Sequence, residues 1–376
     1  MAQRVRGHPT ETATASALGR GDPVAHLLSD AGAAIRRAAL AEGAPVRLGV
    51  LVNGRADRGR MARQGAALAG PWPLHCTADL TGLRRAVAEL LAVDGVNVLA
   101  LAGGDGTVHH TCNVLAALDA EAAARGLAAP RPRLLLLRGG TMNILARATG
   151  HHVRPEKSLR RFVRDHGAAP LGALPTQPLA SLTVRGGGSL RHGFVFGSEV
   201  VYHALTLYEQ FGAGYPGLLR FLGELIRGVA VGSPLFERER WRLGPFGLPL
   251  DVEEGADRVT RFDRYTAVVA VTADLSLATG VMAAIRRAPA AKGFHARVVD
   301  ARDAGALVRM LPALLGGGAQ AGVRDFREAT GLRLHGPFTL DGERFDDASD
   351  LGRGRLDVDD GERWQVIGGQ GRLGSR

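Results

Sequence analysis

Lysine is almost missing from this sequence. Lys157 and Lys292 are its only occurrences, so nearly all of the 47 basic residues are arginine, and the formal net charge is +10. A basic balance suits acidic partners such as nucleic acid, anionic lipid surfaces or phosphate-bearing substrates. A GC-rich coding sequence accounts for the arginine bias equally well, so charge alone selects no partner. Cysteine is scarce too: the 2 present, Cys76 and Cys112, exclude a disulfide framework and a zinc cluster. No apolar run reaches the length of a membrane span; the longest candidate, Tyr265 to Ile285, is interrupted by Asp274 and Gly280. Arg4 and Arg6 precede no continuous apolar core, so no secretory signal is expected and a cytoplasmic setting follows. What remains is a chain of 376 residues, 45% hydrophobic and 22% charged, with length for two domains and an ample core.

The stretch with most chemical content begins at Val96. Val96 to Ala102 reads as a buried strand that breaks into Gly103-Gly104-Asp105-Gly106-Thr107, followed by a helix-like segment containing His109, His110 and Cys112. A strand, a glycine loop and a helix start make a place for phosphate. Glycines lack the Cβ that holds an anion away, and the helix start supplies unpaired N–H donors. An acidic residue within such a loop suits a Mg²⁺-bound phosphate or a ribose hydroxyl. An ordinary tight turn is the alternative. The loop is neither a Walker motif nor the spaced glycine fingerprint of a dinucleotide fold. Cys112, on the helix, reads as a buried inert thiol.

In chain order, residues 1–42 read as a loose tail ending in a helix from Asp30. Val46 to Asn53 reads as a strand, Leu74 to Thr77 as a second, Leu83 to Val93 as a helix, and Leu134 to Leu137 as a further apolar strand. Continuous apolar strands alternating with helices indicate a parallel sheet covered on both faces. The last strand runs into Arg138-Gly139-Gly140-Thr141-Met142-Asn143, which should share a crevice with the first glycine loop beyond the carboxyl ends of the strands. After a helix at Pro155 to His166 the pattern becomes short and β-like: Ala180 to Arg185, Arg191 to Phe196, Trp241 to Leu243, Tyr265 to Thr272, His295 to Asp300 and Leu332 to Leu340. One apolar helix, Gly217 to Val231, interrupts it; packing on the sandwich, admitting an acyl chain and touching a membrane are compatible roles for it. Asp341-Gly342-Glu343 and Asp360-Gly361-Glu362 both carry the Asp-Gly hairpin signal. The second, between Leu356-Asp357-Val358 and Trp364-Gln365-Val366-Ile367, reads as a plain hairpin.

The Gly103–Thr107 loop resembles the nucleotide loop of the diacylglycerol kinase catalytic-domain family, which includes bacterial lipid kinases and sphingosine kinases. Gly140-Thr141-Met142-Asn143 with Ala146-Arg147 resembles that family's second signature, and Asp341-Gly342-Glu343 its third. The three occur in order within residues 46–368. The resemblance implies a three-layer parallel-sheet nucleotide domain at 43–168, with 353–370 available to complete it, and a β-sandwich-like lipid domain at 169–352. It implies ATP as phosphoryl donor with Mg²⁺, and nucleotide contacts from Asn53, Thr77, Gly103, Gly104, Asp105, Gly106, Thr107, His109, Gly140, Thr141, Asn143 and Arg147. Glu343 is then the base at the acceptor hydroxyl, with Asp341 beside it or linked to a metal, and Asp105 meets Mg²⁺ indirectly through the ATP phosphates.

Departures from the family pattern are equally specific. Asn53 lacks its usual Pro and Ile144 stands where an acidic residue is usual, whereas Phe194 to Val201 resembles a further family element, with Glu199 in its acidic place. Ala291 to Ala296 has none of the carboxylates of a structural metal stretch, so that metal site is expected to be absent. The resemblance implies a lipid kinase that works on a lipid such as diacylglycerol while peripheral to the inner face of the membrane, without nucleic acid; a homodimer is left open. An NAD kinase-like small-molecule kinase shares only the first loop, and a non-catalytic nucleotide-binding regulator fits the lost carboxylates.

Overall fold

In the computed structural model, the described residues are 22–369 apart from 57–58, 60, 62–64, 141, 187, 213, 245, 247, 256, 278–281, 286–291 and 346–353. Most of the expected N-terminal tail, residues 1–21, lies outside them. The chain then enters helices α1 (Pro23–Leu27) and α2 (Asp30–Ala39), strands β1 (Leu48–Asn53) and β2 (Leu74–Thr77), and helix α3 (Leu80–Ala92). Strand β3 (Val98–Gly103), helix α4 (Asp105–Ala124), strand β4 (Arg133–Arg138) and helices α5 (Ile144–Ala148) and α6 (Pro155–His166) complete the first half.

Strands β2, β1, β3 and β4 lie side by side and parallel, as their unbroken apolar runs imply. Alternation sorts their side chains between two faces. Leu99 and Leu101 join Leu51, Leu134 and Leu136 under α3 and α4, while Val98 and Ala100 join Val50, Leu135 and Leu137 on the α6 side. Side-chain caps start the helices: Ser29 accepts from Gly32 N–H at α2, and Asp79 from Gly82 N–H at 2.7 Å at α3.

The second half contains strands β5 (Thr176–Gly186), β6 (Ser189–Gly193) and β7 (Val195–Glu199), then helices α7 (Val200–Tyr208), α8 (Gly214–Val231) and α9 (Pro234–Glu239). Strands β8 (Leu250–Glu254), β9 (Arg258–Phe262), β10 (Ala267–Val271), β11 (Leu275–Leu277), β12 (Met282–Ile285) and β13 (Phe294–Val299) follow. After helix α10 (Ala304–Gly316) come β14 (Val323–Ala329), β15 (Gly331–His335), β16 (Phe338–Leu340), β17 (Glu343–Phe345) and β18 (Arg355–Ile367). A separate antiparallel sheet of 6 strands runs β14-β13-β10-β7-β16-β17. It packs against β5, β8, β15 and β18 through a core that includes Phe196, Phe294, Phe338, Leu182 and Leu334. The mixed α/β class with a parallel-rich sheet and a separate antiparallel sheet is therefore as the sequence implied.

The structure corrects four local expectations. Asp360-Gly361-Glu362 is no hairpin: β18 runs straight through it, paired antiparallel with β5, and the Asp-Gly segment is a bulge between Asp360 and Arg363. A Cβ on Gly361 would stand 2.6 Å from Thr183 Oγ1, so the bulge brings this backbone hard against β5. Trp241 to Leu243 is a 3-10 turn, not a strand. Leu332 to Leu340 and Arg191 to Phe196 each divide into two strands that belong to different sheets. Gly336, at φ +105°, makes the first crossing, with Pro337 removing a ladder donor.

Strand β18 joins the two architectures. Its Trp364 end lies in the α3–α4 core, Val366 pairs parallel with Leu134 of β4, and its first residues pair with β15. Trp364 is fully buried, with the Arg131 guanidinium 4.5 Å above its ring. Trp364→Ala is expected to cost about 3–5 kcal/mol of stability, read as a lower urea midpoint in chemical denaturation. An unchanged midpoint would show that this junction bears little of the fold.

Candidate active site

The two glycine loops leave neighbouring parallel strands, β3 and β4, at the same edge of the sheet. Gly139 N–H donates to the Gly103 carbonyl at 2.8 Å. A Cβ on Gly140 would come 2.4 Å from Gly104 Cα, so here the two backbones touch and only glycine fits. The first loop also braces the second, and the second braces itself. Asp105 accepts from Ile144 N–H at 3.0 Å and from Leu145 N–H at 2.9 Å, capping α5 from across the crevice. Asn143 stands at φ 52°, and its Oδ1 accepts from Gly139 N–H at 3.0 Å and Gly140 N–H at 2.8 Å. Burial pushes the Asp105 carboxyl up; the two N–H groups oppose that, and the nearby Asp341 charge adds to it.

The first turn of α4 has no side-chain cap, which leaves the helix start free for an anion. Thr107 packs over Gly103, and its hydroxyl accepts from Asn53 Nδ2 at 3.0 Å, tying the end of β1 to α4. Thr77 lies opposite Asn53 at the end of β2, and its carbonyl accepts from Gly54 N–H. Arg147, on α5, has buried Nε and Nη1 groups without a hydrogen-bond partner, orphaned donors suited to an anion. Thr141 lies outside the described residues.

The third signature meets the first. Asp341 and Gly342, at φ 53° and 88°, form a two-residue hairpin between β16 and β17. The Asp341 carboxylate is fully buried and accepts from Phe194 N–H and Val195 N–H, both at 2.9 Å, at the point where the chain switches sheets. Its other oxygen lies 3.0 Å from His109 Nδ1, and His109 is equally buried. His109, expected beside the phosphates, therefore has its Nδ1 committed to Asp341 in the interior; every side-chain hydrogen bond Asp341 makes is a structural tie. Next along the chain, Glu343 is half-exposed over the first turn of α4, 3.3 Å from where a Gly106 Cβ would stand. His110 Nε2 lies 3.6 Å from Glu343 Oε1, and this neighbour holds the Glu343 carboxyl below the usual range against the opposing effect of burial.

A cavity of about 620 Å³ opens beside these groups. It lies on the outer face of the 6-stranded sheet, roofed by α7, α8 and α10, with Val195, Leu205, Phe221, Val269 and Leu311 among its walls. Asp105, Asp341 and Gly342 border one end. Arg297, also on the wall, is bound to Asp325 at 2.7 and 2.9 Å, and His295 Nε2 reaches the same carboxylate at 2.8 Å. Burial opposes ionisation of Asp325, yet His295 and Arg297 hold its carboxyl well below the usual range. Thus His295, within the stretch that lacks the family's carboxylates, belongs to an ion-pair cluster; Ala291 lies outside the described residues. Among the described residues no group of three or more His, Cys, Asp and Glu side chains is placed to hold a metal.

Sequence reasoning missed the cavity walls and two ties. Asn113 Nδ2 donates to the His192 carbonyl at 2.7 Å while His192 N–H donates to Asn113 Oδ1 at 2.9 Å, a second link between α4 and the β-rich half. Asn113 sits four residues after His109, on the same flank of α4, and that spacing was the available signal.

The architecture is thus a parallel sheet with two interlocked glycine loops, joined to a sandwich that carries an apolar cavity. Residues 47–170 match the family model described as the diacylglycerol kinase catalytic domain, so the chain carries a domain of that family. Two crystal structures from Bacillus anthracis str. Sterne share the fold. One, of a proposed diacylglycerol kinase, aligns at TM-score 0.57 and 16% identity over 86% of this chain and 97% of its own. The other, of a diacylglycerol kinase, aligns at TM-score 0.54 and 13% identity over the same shares. No curated protein gives a significant sequence match.

Asn143→Ala would orphan the buried Gly139 N–H and the half-buried Gly140 N–H and leave a Cβ residue at positive φ. Its expected cost is about 3 kcal/mol, read by chemical denaturation. Retained stability would show that the loops hold each other by backbone packing alone.

Proposed function

We propose that this protein is a lipid kinase that transfers the γ-phosphate of ATP, with Mg²⁺, to the hydroxyl of diacylglycerol or a similar lipid. The observation that carries this reading is the cavity: its walls suit hydrocarbon, and the end bordered by Asp105, Asp341 and Gly342 adjoins the glycine loops. A small polar acceptor would leave most of that apolar volume unfilled, which weighs against a small-molecule kinase.

In this reading the α4 N-terminus and Arg147 receive the donor's phosphates, and the cavity holds the acyl chain so that the hydroxyl emerges at its acidic end. The hydroxyl oxygen bonds to the γ-phosphorus, the bond from that phosphorus to the β,γ-bridging oxygen breaks, ADP leaves, and the hydroxyl proton passes to Glu343. Asp341 holds the hairpin that presents Glu343, through His109 and the two backbone N–H groups. Asp105, already bracing α5, is the carboxylate nearest in kind to what Mg²⁺ needs, and with phosphate oxygens and waters it fits a cation that keeps much of its hydration. Bound there, the ion would neutralise the charge that develops on the phosphates.

Among the described residues no helix is long and apolar enough to cross a membrane. Peripheral association with the inner face of the membrane accordingly belongs to this proposal, as does work without nucleic acid.

The direct test is ³²P transfer from Mg-ATP into a bacterial lipid extract by wild type and Glu343→Gln. A labelled lipid is expected from wild type, falling about 10²–10⁴-fold in the variant with ATP binding kept. Label in the water phase only would favour a small-molecule kinase, and ATP binding without any transfer would favour a regulator. The pH profile carries a second test. A carboxyl held low stays ionised further into acid, so the acidic limb of kcat/KM lies below the usual carboxylate range. His110→Ala is expected to move that limb to higher pH, because the neighbour that lowers the carboxyl is gone, with little change at neutral pH. Superimposable profiles would detach His110 from the base.

A further inference from the structure

Helix α8 has two apolar flanks, and only one is covered. Phe221 is buried against the cavity, whereas Leu219 and Ile226, seven residues apart and hence on one side of the helix, are 69% and 57% exposed. Leu222, Ile226 and Val229 of α8 face Leu311, Pro312 and Leu315 of α10 across an open groove of about 390 Å³. Leu222, Val308, Leu311 and Leu315 line both this groove and the large cavity, so the two share a wall and the groove lies outside the cavity's apolar roof.

Charge completes the picture. The two helices carry Arg220, Arg227 and Arg309 against the single acid Glu224, which is bound to Arg227 at 2.9 Å. Arg220 and Arg309 are exposed; Arg309 lies near the Asp303 carboxylate at the start of α10, which Arg302 also meets at 3.2 Å, so basic groups outnumber acidic ones beside the uncovered apolar strip. Apolar side chains flanked by an excess of arginine fit a bilayer interface bearing negative headgroups.

We infer that the α8–α10 face docks on an anionic phospholipid bilayer, and that the groove admits the substrate's acyl chain from the bilayer to the cavity. The docking stands on the exposed face itself; the passage of a chain rests on the lipid-kinase reading above. An acyl chain moving along this path exchanges one apolar environment for another and does not meet water, which removes the hydrophobic cost of leaving the membrane.

Flotation of the intact protein with vesicles tests it, using phosphatidylglycerol–phosphatidylcholine mixtures against phosphatidylcholine alone. Wild type is expected to float with the anionic vesicles. Leu219→Glu/Ile226→Glu should bind them about tenfold more weakly or worse, and Arg220→Ala/Arg309→Ala should lose the preference for anionic over neutral vesicles. Both pairs are surface changes, and unchanged circular dichroism confirms their folding. Wild type that fails to float, or variants that float as it does, would overturn the proposal. So would a glutamate variant that changes oligomeric state and leaves flotation intact, since the face would then serve a second copy of the chain. Wild-type turnover of a lipid in detergent micelles separates the two readings. Turnover without flotation ends the docking proposal alone, and flotation without turnover ends the lipid-kinase reading while docking stands.

Discussion

The buried carboxylate of Asp341 is the contact on which the arrangement of the site depends. It accepts from the backbone at Phe194 and Val195, where the chain passes from one sheet to the other, and it meets His109 of α4 at 3.0 Å. One side chain thereby fixes the parallel-sheet half, the strand switch and the Asp-Gly-Glu hairpin relative to each other. A buried charge with its hydrogen bonds satisfied is stable where it is, whereas the same charge with a partner removed is costly. The reciprocal bonds between Asn113 and His192 repeat the link one turn further along α4. On the proposed reading, Glu343 can be at once half-exposed and well positioned because its neighbour two residues earlier is locked.

The glycine loops show a similar division of labour. Asp105 and Asn143 have polar side chains in signature positions, and each spends its hydrogen bonds on the backbone of the loops. What they leave open is a helix start without a side-chain cap and the orphaned donors of Arg147. The groups available to an anion are thus backbone and guanidinium, with the acidic residues holding them in place.

Legibility in the sequence followed the range of the forces involved. The strand before Gly103, the strand before Gly139 and the helices after them are written in local patterns: apolar runs, glycines and caps within a few residues. That the two loops share one crevice was also legible, because neighbouring parallel strands deliver their loops to one edge; that their backbones touch was not. The cavity was not, since its walls come from Val195 to Leu225 and from Ala267 to Leu315, and its volume depends on how α8 and α10 lie over the sheet. Nor was the difference between the two Asp-Gly pairs. Asp341-Gly342 turns the chain, while Asp360-Gly361 bulges within one strand because β5 offers a continuous partner on either side of it. His109 was placed by motif analogy beside phosphate; only the three-dimensional position of Asp341 shows where its Nδ1 is directed.

On the proposed reading, the acidic end of the apolar cavity is where a lipid hydroxyl meets the γ-phosphate. A crystal structure with a non-hydrolysable ATP analogue, Mg²⁺ and diacylglycerol measures this most directly. The triphosphate is expected on the α4 N-terminus near Arg147, the acyl chains within the cavity, and the free hydroxyl between the γ-phosphorus and the Glu343 carboxylate. A nucleotide bound away from the two glycine loops, or a lipid whose hydroxyl lies at the Arg297 side of the cavity, would contradict it.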